Sequence, residues 1–124
     1  MKAFVKKYYK LVLWCLVIFV LSSIPSAKIS DFSYLDLIVR KFLHIFEFFI
    51  LTVIAYNSFG SYKKSCFFAF FYAISDELHQ HFTPGRGPSP IDVLVDIIGI
   101  VLGVIFIWKN LNVHLPKIIK KLLS

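Results

Sequence analysis

Five carboxylates and a handful of basic or amide side chains are the residues of this chain able to do chemistry. They fall in three short stretches. His44 and Glu47 are three residues apart, with Lys41 one turn earlier; Asp76, Glu77 and Gln80 sit together with His79 and His81; Asp92 and Asp96 are four apart. The adjacent acids Asp76 and Glu77, together with Glu47, are candidates for general acid–base work. Arg86 lies in the segment TPGRGPSP, where its planar fork suits a phosphate or carboxylate. His44-x-x-Glu47 completes no known ligand set, so no metal site is expected, and the sequence names no cofactor. Lys41, His44, Gln80, Arg86, Asp92 and Asp96 remain as candidate binding residues around the three acids.

The surroundings of these residues are almost entirely apolar. Of 124 residues, 58% are hydrophobic and only 17% charged, and the mean hydropathy is +0.75. A soluble domain is about 45–50% apolar and about 25% charged, and a chain this short has one small core. These values exclude an ordinary soluble domain and a disordered chain. They fit a small all-α membrane protein of four helices.

Four apolar runs are legible: Leu11 to Ala27, Leu37 to Phe59, Ser65 to Phe82 and Ile91 to Trp108. Segment 1–10 is a basic N-terminus, 11–108 a four-helix membrane domain, and 109–124 a basic amphipathic tail fit to lie on an anionic membrane surface. Pro25-Ser26-Ala27 makes a poor signal-peptide cleavage region. With every later run also membrane-like, a retained first helix ending at Ser22, Ser23 and Pro25 is expected. Gly60-Ser61-Tyr62-Lys63-Lys64 reads as a tight turn. Cys15 and Cys66 fall in different apolar runs and read as small apolar filler. Tyr8, Tyr9, Trp14, Tyr62 and Trp108 read as aromatics of the membrane interface.

The net charge of +7 follows the same segmentation. Lysines 2, 6, 7, 10, 63, 64, 109, 117, 120 and 121 fall on one side of a four-pass arrangement. Lys28, Arg40, Lys41 and Arg86 fall on the other. The positive-inside rule then puts both termini in the cytoplasm. This alternation explains the basic balance without nucleic acid. It also places the ionisable residues of all three polar stretches in the outer half of their helices. At 100° per residue, Asp92, Asp96, Gly99 and Gly103 fall within about 60° of arc, Asp76, Glu77 and Gln80 within about 100°, and His44 about 60° from Glu47. The stripes can converge, with Gly99-x-x-x-Gly103 admitting a close helix neighbour. A lipid-exposed acid at mid-membrane costs roughly 2.5–3.5 kcal/mol, so these acids must pair, protonate or line a wet cavity.

The stretches KFLHIFEF (41–48), SDELHQ (75–80), PGR (84–86) and DVLVDIIG (92–99), with the Ser22-Ser23-x-Pro25 helix exit, resemble the VanZ-like family from about Leu11 to Trp108. Lys41, His44, Glu47, Asp76, Glu77, Gln80, Arg86, Asp92 and Gly99 match its motif positions. Asp96 departs from it, since the family often carries Asn there. The resemblance implies a small bacterial integral membrane protein of about four helices, in a family whose founding member is linked to teicoplanin resistance. Three functions are open at this point. The chain binds or modifies an envelope lipid or lipid-linked cell-wall precursor; it is a non-catalytic membrane scaffold; or it is a proton-coupled transporter. Whether it is an enzyme is open with them.

Overall fold

The structure is a computed structural model that describes residues 1–23, 33–82 and 90–112, the backbone alone at 33–37 and 110–112. It is all-α among these residues: α1 (Lys2–Ser23), α2 (Ser33–Phe59), α3 (Tyr62–His81) and α4 (Pro90–Asn112). At 1.5 Å per residue the helices are about 30–40 Å long. The expected basic segment 1–10 is not separate from the first helix, because α1 begins at Lys2. Likewise α2 begins before Leu37, taking in part of the expected polar connection. Pro90 occupies the first turn of α4, where its missing N–H costs nothing. Most of the expected amphipathic tail lies outside the described residues, as do Lys28 and Arg86.

The α2–α3 turn forms where the sequence places it. The Gly60 N–H donates to the Tyr56 carbonyl at 2.7 Å, with Gly60 at φ 72°, a conformation that suits glycine. Ser61 caps α3 by accepting from the Lys64 N–H at 3.4 Å. This turn makes α2 and α3 antiparallel.

The remaining contacts give an up-down bundle. At one end Tyr8 of α1 packs on Phe59 of α2, and the Ser58 hydroxyl donates to the Lys7 carbonyl at 3.3 Å. At the other end, Ser22 of α1 meets Asp76 of α3. Phe48, Leu51 and Ala55 of α2, Ala69 and Ala73 of α3, Ile18 of α1 and Ile100 of α4 fill the centre. The α2–α4 seam is the tightest. A Cβ on Gly99 would stand 2.5 Å from the Ile45 carbonyl oxygen, and one on Gly103 would stand 2.9 Å from Thr52 Cβ. Both glycines lie on the face of α4 that meets α2.

Large hydrophobic side chains also cover much of the outside of the bundle. Leu13, Leu16, Phe19, Phe42, Phe71, Leu94 and Val101, drawn from all four helices, are exposed. One helical segment among the described residues, Pro90–Lys109, is long and apolar enough to cross a membrane by length and composition, with a mean hydropathy of 2.5. The other three helices carry charges within their length: lysines in the first half of α1, Arg40, Lys41 and Glu47 in α2, and Asp76 and Glu77 in α3.

Candidate functional site: a buried histidine–carboxylate centre

The polar stripes converge at the end of the bundle where α1 and α3 finish and α2 and α4 begin. Asp96 is 1% exposed, Asp76 5% and Glu47 7%, and Ser22 and Gln80 are buried with them. All four helices contribute.

Asp76 is held from two sides. Ser22 donates to Oδ1, and Gln80 Nε2 donates to Oδ2 at 3.1 Å from one turn further along α3. His44 points at α4, with Nδ1 3.1 Å from Asp96 Oδ1 and 3.9 Å from Glu47 Oε2. The 3.1 Å approach lacks the alignment of a hydrogen bond, so His44 Nδ1 and Asp96 Oδ1 are both buried without a hydrogen-bond partner. Donor atoms of His44, Asp76 and Asp96 lie within 4.8 Å of one another. This is a trio the His44-x-x-Glu47 spacing does not suggest, because two of its members come from other helices.

The other expected site residues stand around this centre. Glu77, Asp92 and Lys41 are half-buried. Asp76 and Glu77 are adjacent, so helical geometry turns them about 100° apart and only Asp76 enters the bundle. Asp92 occupies the first turn of α4, where a carboxylate suits the helix dipole. Arg86 belongs to the segment outside the described residues.

Further residues that the sequence reading did not assign to the site support the centre. Ser22, read as a helix end, lies four residues after the buried Ile18 on the inward stripe of α1, a placement that would have disclosed its role. Ser23 pairs with His79 Nε2 at 2.8 Å, and the His79 ring stacks on Phe19 at 4.4 Å, tying α1 to α3 a second time. Trp14, read as an interface aromatic, turns inward and donates from Nε1 to the Glu47 carbonyl at 2.9 Å. The Tyr72 hydroxyl donates to the Cys15 carbonyl at 2.5 Å. Both acceptors lie within helices and take these bonds on a second lone pair. No sequence signal marks the two long-range bonds to carbonyls.

A groove of about 650 Å³ lies elsewhere, at the lysine-bearing end, lined by Lys6, Lys10, Trp14, Phe49, Ile54 and Phe106 among others. It has apolar walls and a basic rim and does not reach the carboxylates.

The fold and the site together define a small helical bundle with a buried histidine–carboxylate centre at one end. The family model VanZ/LLP1 matches residues 4–112, all but the ends of the chain, and the protein belongs to that family. No match is found among curated proteins or among solved structures.

Proposed function

We propose that the protein crosses the bacterial cytoplasmic membrane with its four helices, both termini in the cytoplasm. In this reading the buried centre lies in the outer half of the bilayer, where it binds or modifies an envelope lipid or lipid-linked cell-wall component. One observation carries the reading: carboxylates and a histidine from α2, α3 and α4 are gathered inside one end of a bundle whose outer surface is apolar. Polar groups at such depth are functional by default. The lysine-rich end opposite fits the cytoplasmic side. Glu47 and Asp76 are the acid–base candidates of the interior, with Glu77 at its edge, and Arg86 is the anchor for an anionic head group. A link to teicoplanin resistance belongs to this same reading.

The scaffold reading has its own support, because Ser22–Asp76, Trp14–Glu47 carbonyl and Tyr72–Cys15 carbonyl all join different helices. A proton-coupled transporter is disfavoured, since Phe48, Leu51 and Ala55 fill the level beneath the centre.

The test is a lipid and cell-wall-precursor profile of cells expressing the wild type, Glu47→Gln or an Asp76→Asn/Glu77→Gln double variant at matched membrane levels. A lipid or precursor altered by the wild type and restored in the variants is the expected result. Identical profiles in all strains, with any envelope phenotype intact, overturn the lipid reading and leave the carboxylates as ties between helices.

A further inference from the structure

We infer that His44, Asp76 and Asp96 form a binding site for one divalent first-row transition-metal ion, for which Zn²⁺ is the probe. The three residues come from α2, α3 and α4, and each offers a donor atom within 4.8 Å of the other two. Two donors on the same ion, at bonds of about 2.0–2.2 Å, stand roughly 3.0–3.4 Å apart. His44 Nδ1 and Asp96 Oδ1 already have that spacing, at 3.1 Å. They are also the two buried side-chain polar atoms among the described residues that lack a hydrogen-bond partner. An imidazole nitrogen and a carboxylate oxygen facing each other off the line of a hydrogen bond are arranged as two ligands of a shared ion.

The third donor, on Asp76, lies no more than 4.8 Å from the other two, so an ion drawn between them has to bring it closer by at most about 1.4–1.8 Å. Asp76 is also oriented as metal-binding carboxylates are, by hydrogen bonds from Ser22 and Gln80. The donor set chooses the ion. One imidazole with two carboxylates suits Zn²⁺ or its first-row neighbours. Mg²⁺ and Ca²⁺ prefer oxygen alone, and Cu(I) prefers sulfur, which the trio lacks. Three protein ligands leave a coordination position open for water or for a substrate oxygen. Glu47 Oε2 lies 3.9 Å from His44 Nδ1, close to the trio.

The inference deepens the site assigned above but rests on donor geometry, so either can fail alone. The full chain is purified in detergent, stripped with chelator, reloaded with Zn²⁺ and analysed for metal. The wild type is expected to retain about one ion per chain and to unfold at a higher temperature with Zn²⁺ than without it. His44→Gln and Asp96→Asn are expected to bind at least about tenfold more weakly. His81→Gln, a histidine outside the trio and its supporting contacts, is expected to bind as the wild type does. Co²⁺ loaded into the wild type reads the site without any substitution, through the intensified visible bands of a low-symmetry nitrogen–oxygen site. A wild type that retains no Zn²⁺ and leaves Co²⁺ with its aqueous spectrum overturns the proposal. Binding of undiminished strength in both His44→Gln and Asp96→Asn overturns it as well. Zn²⁺ retention with an unchanged lipid profile keeps the metal site and removes the lipid reading.

Discussion

Gly99→Ala adds one methyl group at the closest approach in the bundle. Its Cβ would lie 2.5 Å from the Ile45 carbonyl oxygen and 3.1 Å from Phe48 Cβ, whereas ordinary contact starts near 3.4 Å. The carbonyl oxygen belongs to a helix backbone, so no rotamer relieves the clash. Relief requires α2 and α4 to part locally by about 0.9 Å, the shortfall from ordinary contact. Overpacking of this kind costs about 1–3 kcal/mol. Asp96 lies one turn from Gly99, so the same displacement lengthens the 3.1 Å His44–Asp96 approach to about 4 Å. Gly103→Ala is expected to cost less, since its shortest contact is 2.9 Å. The assay is reversible unfolding of both variants in mixed micelles, followed by far-UV circular dichroism. Gly99→Ala within about 0.5 kcal/mol of the wild type, the ordinary range for changes that touch nothing critical, would refute the close-packing argument.

Three further outcomes are expected. Gly60→Ala loses about 1–2 kcal/mol through its φ of 72° alone, because nothing lies within 4 Å of the added Cβ; Gly60→Asn should recover part of the loss in the same unfolding assay. Trp14→Phe and Tyr72→Phe each remove one hydrogen bond to a helix carbonyl and should cost about 0.5–1.5 kcal/mol with unchanged helix content. In a Cys15→Ala/Cys66→Ala background, His81→Cys should react with an impermeant maleimide in intact cells and Lys63→Cys only after permeabilisation; the reverse pattern would refute the proposed topology.

The sequence discloses the centre through periodicity, and it discloses pairings poorly. Asp96, Gly99 and Gly103 share an arc by arithmetic, and all three are buried. The convergence of His44, Glu47, Asp76, Gln80 and Asp96 follows from counting lysines and alternating helix direction, because each polar stripe occupies one half of its helix. Contact partners do not follow from those rules. Ser22 pairs with a residue 54 positions away, and nothing in one helix's periodicity selects that partner. Trp14 misled for a related reason: an indole near a basic segment has the composition of an interface residue, but its N–H finds the Glu47 carbonyl. The neighbours Asp76 and Glu77 look equivalent in sequence and differ in burial because a helix turns 100° between them. The helix starts moved outward from the apolar runs, to Lys2 and Ser33, since hydropathy marks a greasy stretch and not the backbone hydrogen bonds that extend beyond it.

The order in which the chain is made gives the α2–α4 seam a further meaning. The most apolar helix, α4, follows α1–α3 in the chain and so emerges from the ribosome after them, yet it supplies the closest partner of α2 and the carboxylate facing His44. Until then α2 presents His44 and Glu47 with an incomplete set of neighbours. A nascent chain that stalls or is cut before Pro90 therefore displays ionisable groups that the finished bundle hides. Groups so displayed are costly at membrane depth, so fragments lacking α4 are expected to be cleared faster than the chain that carries it, a difference a pulse-chase comparison reads.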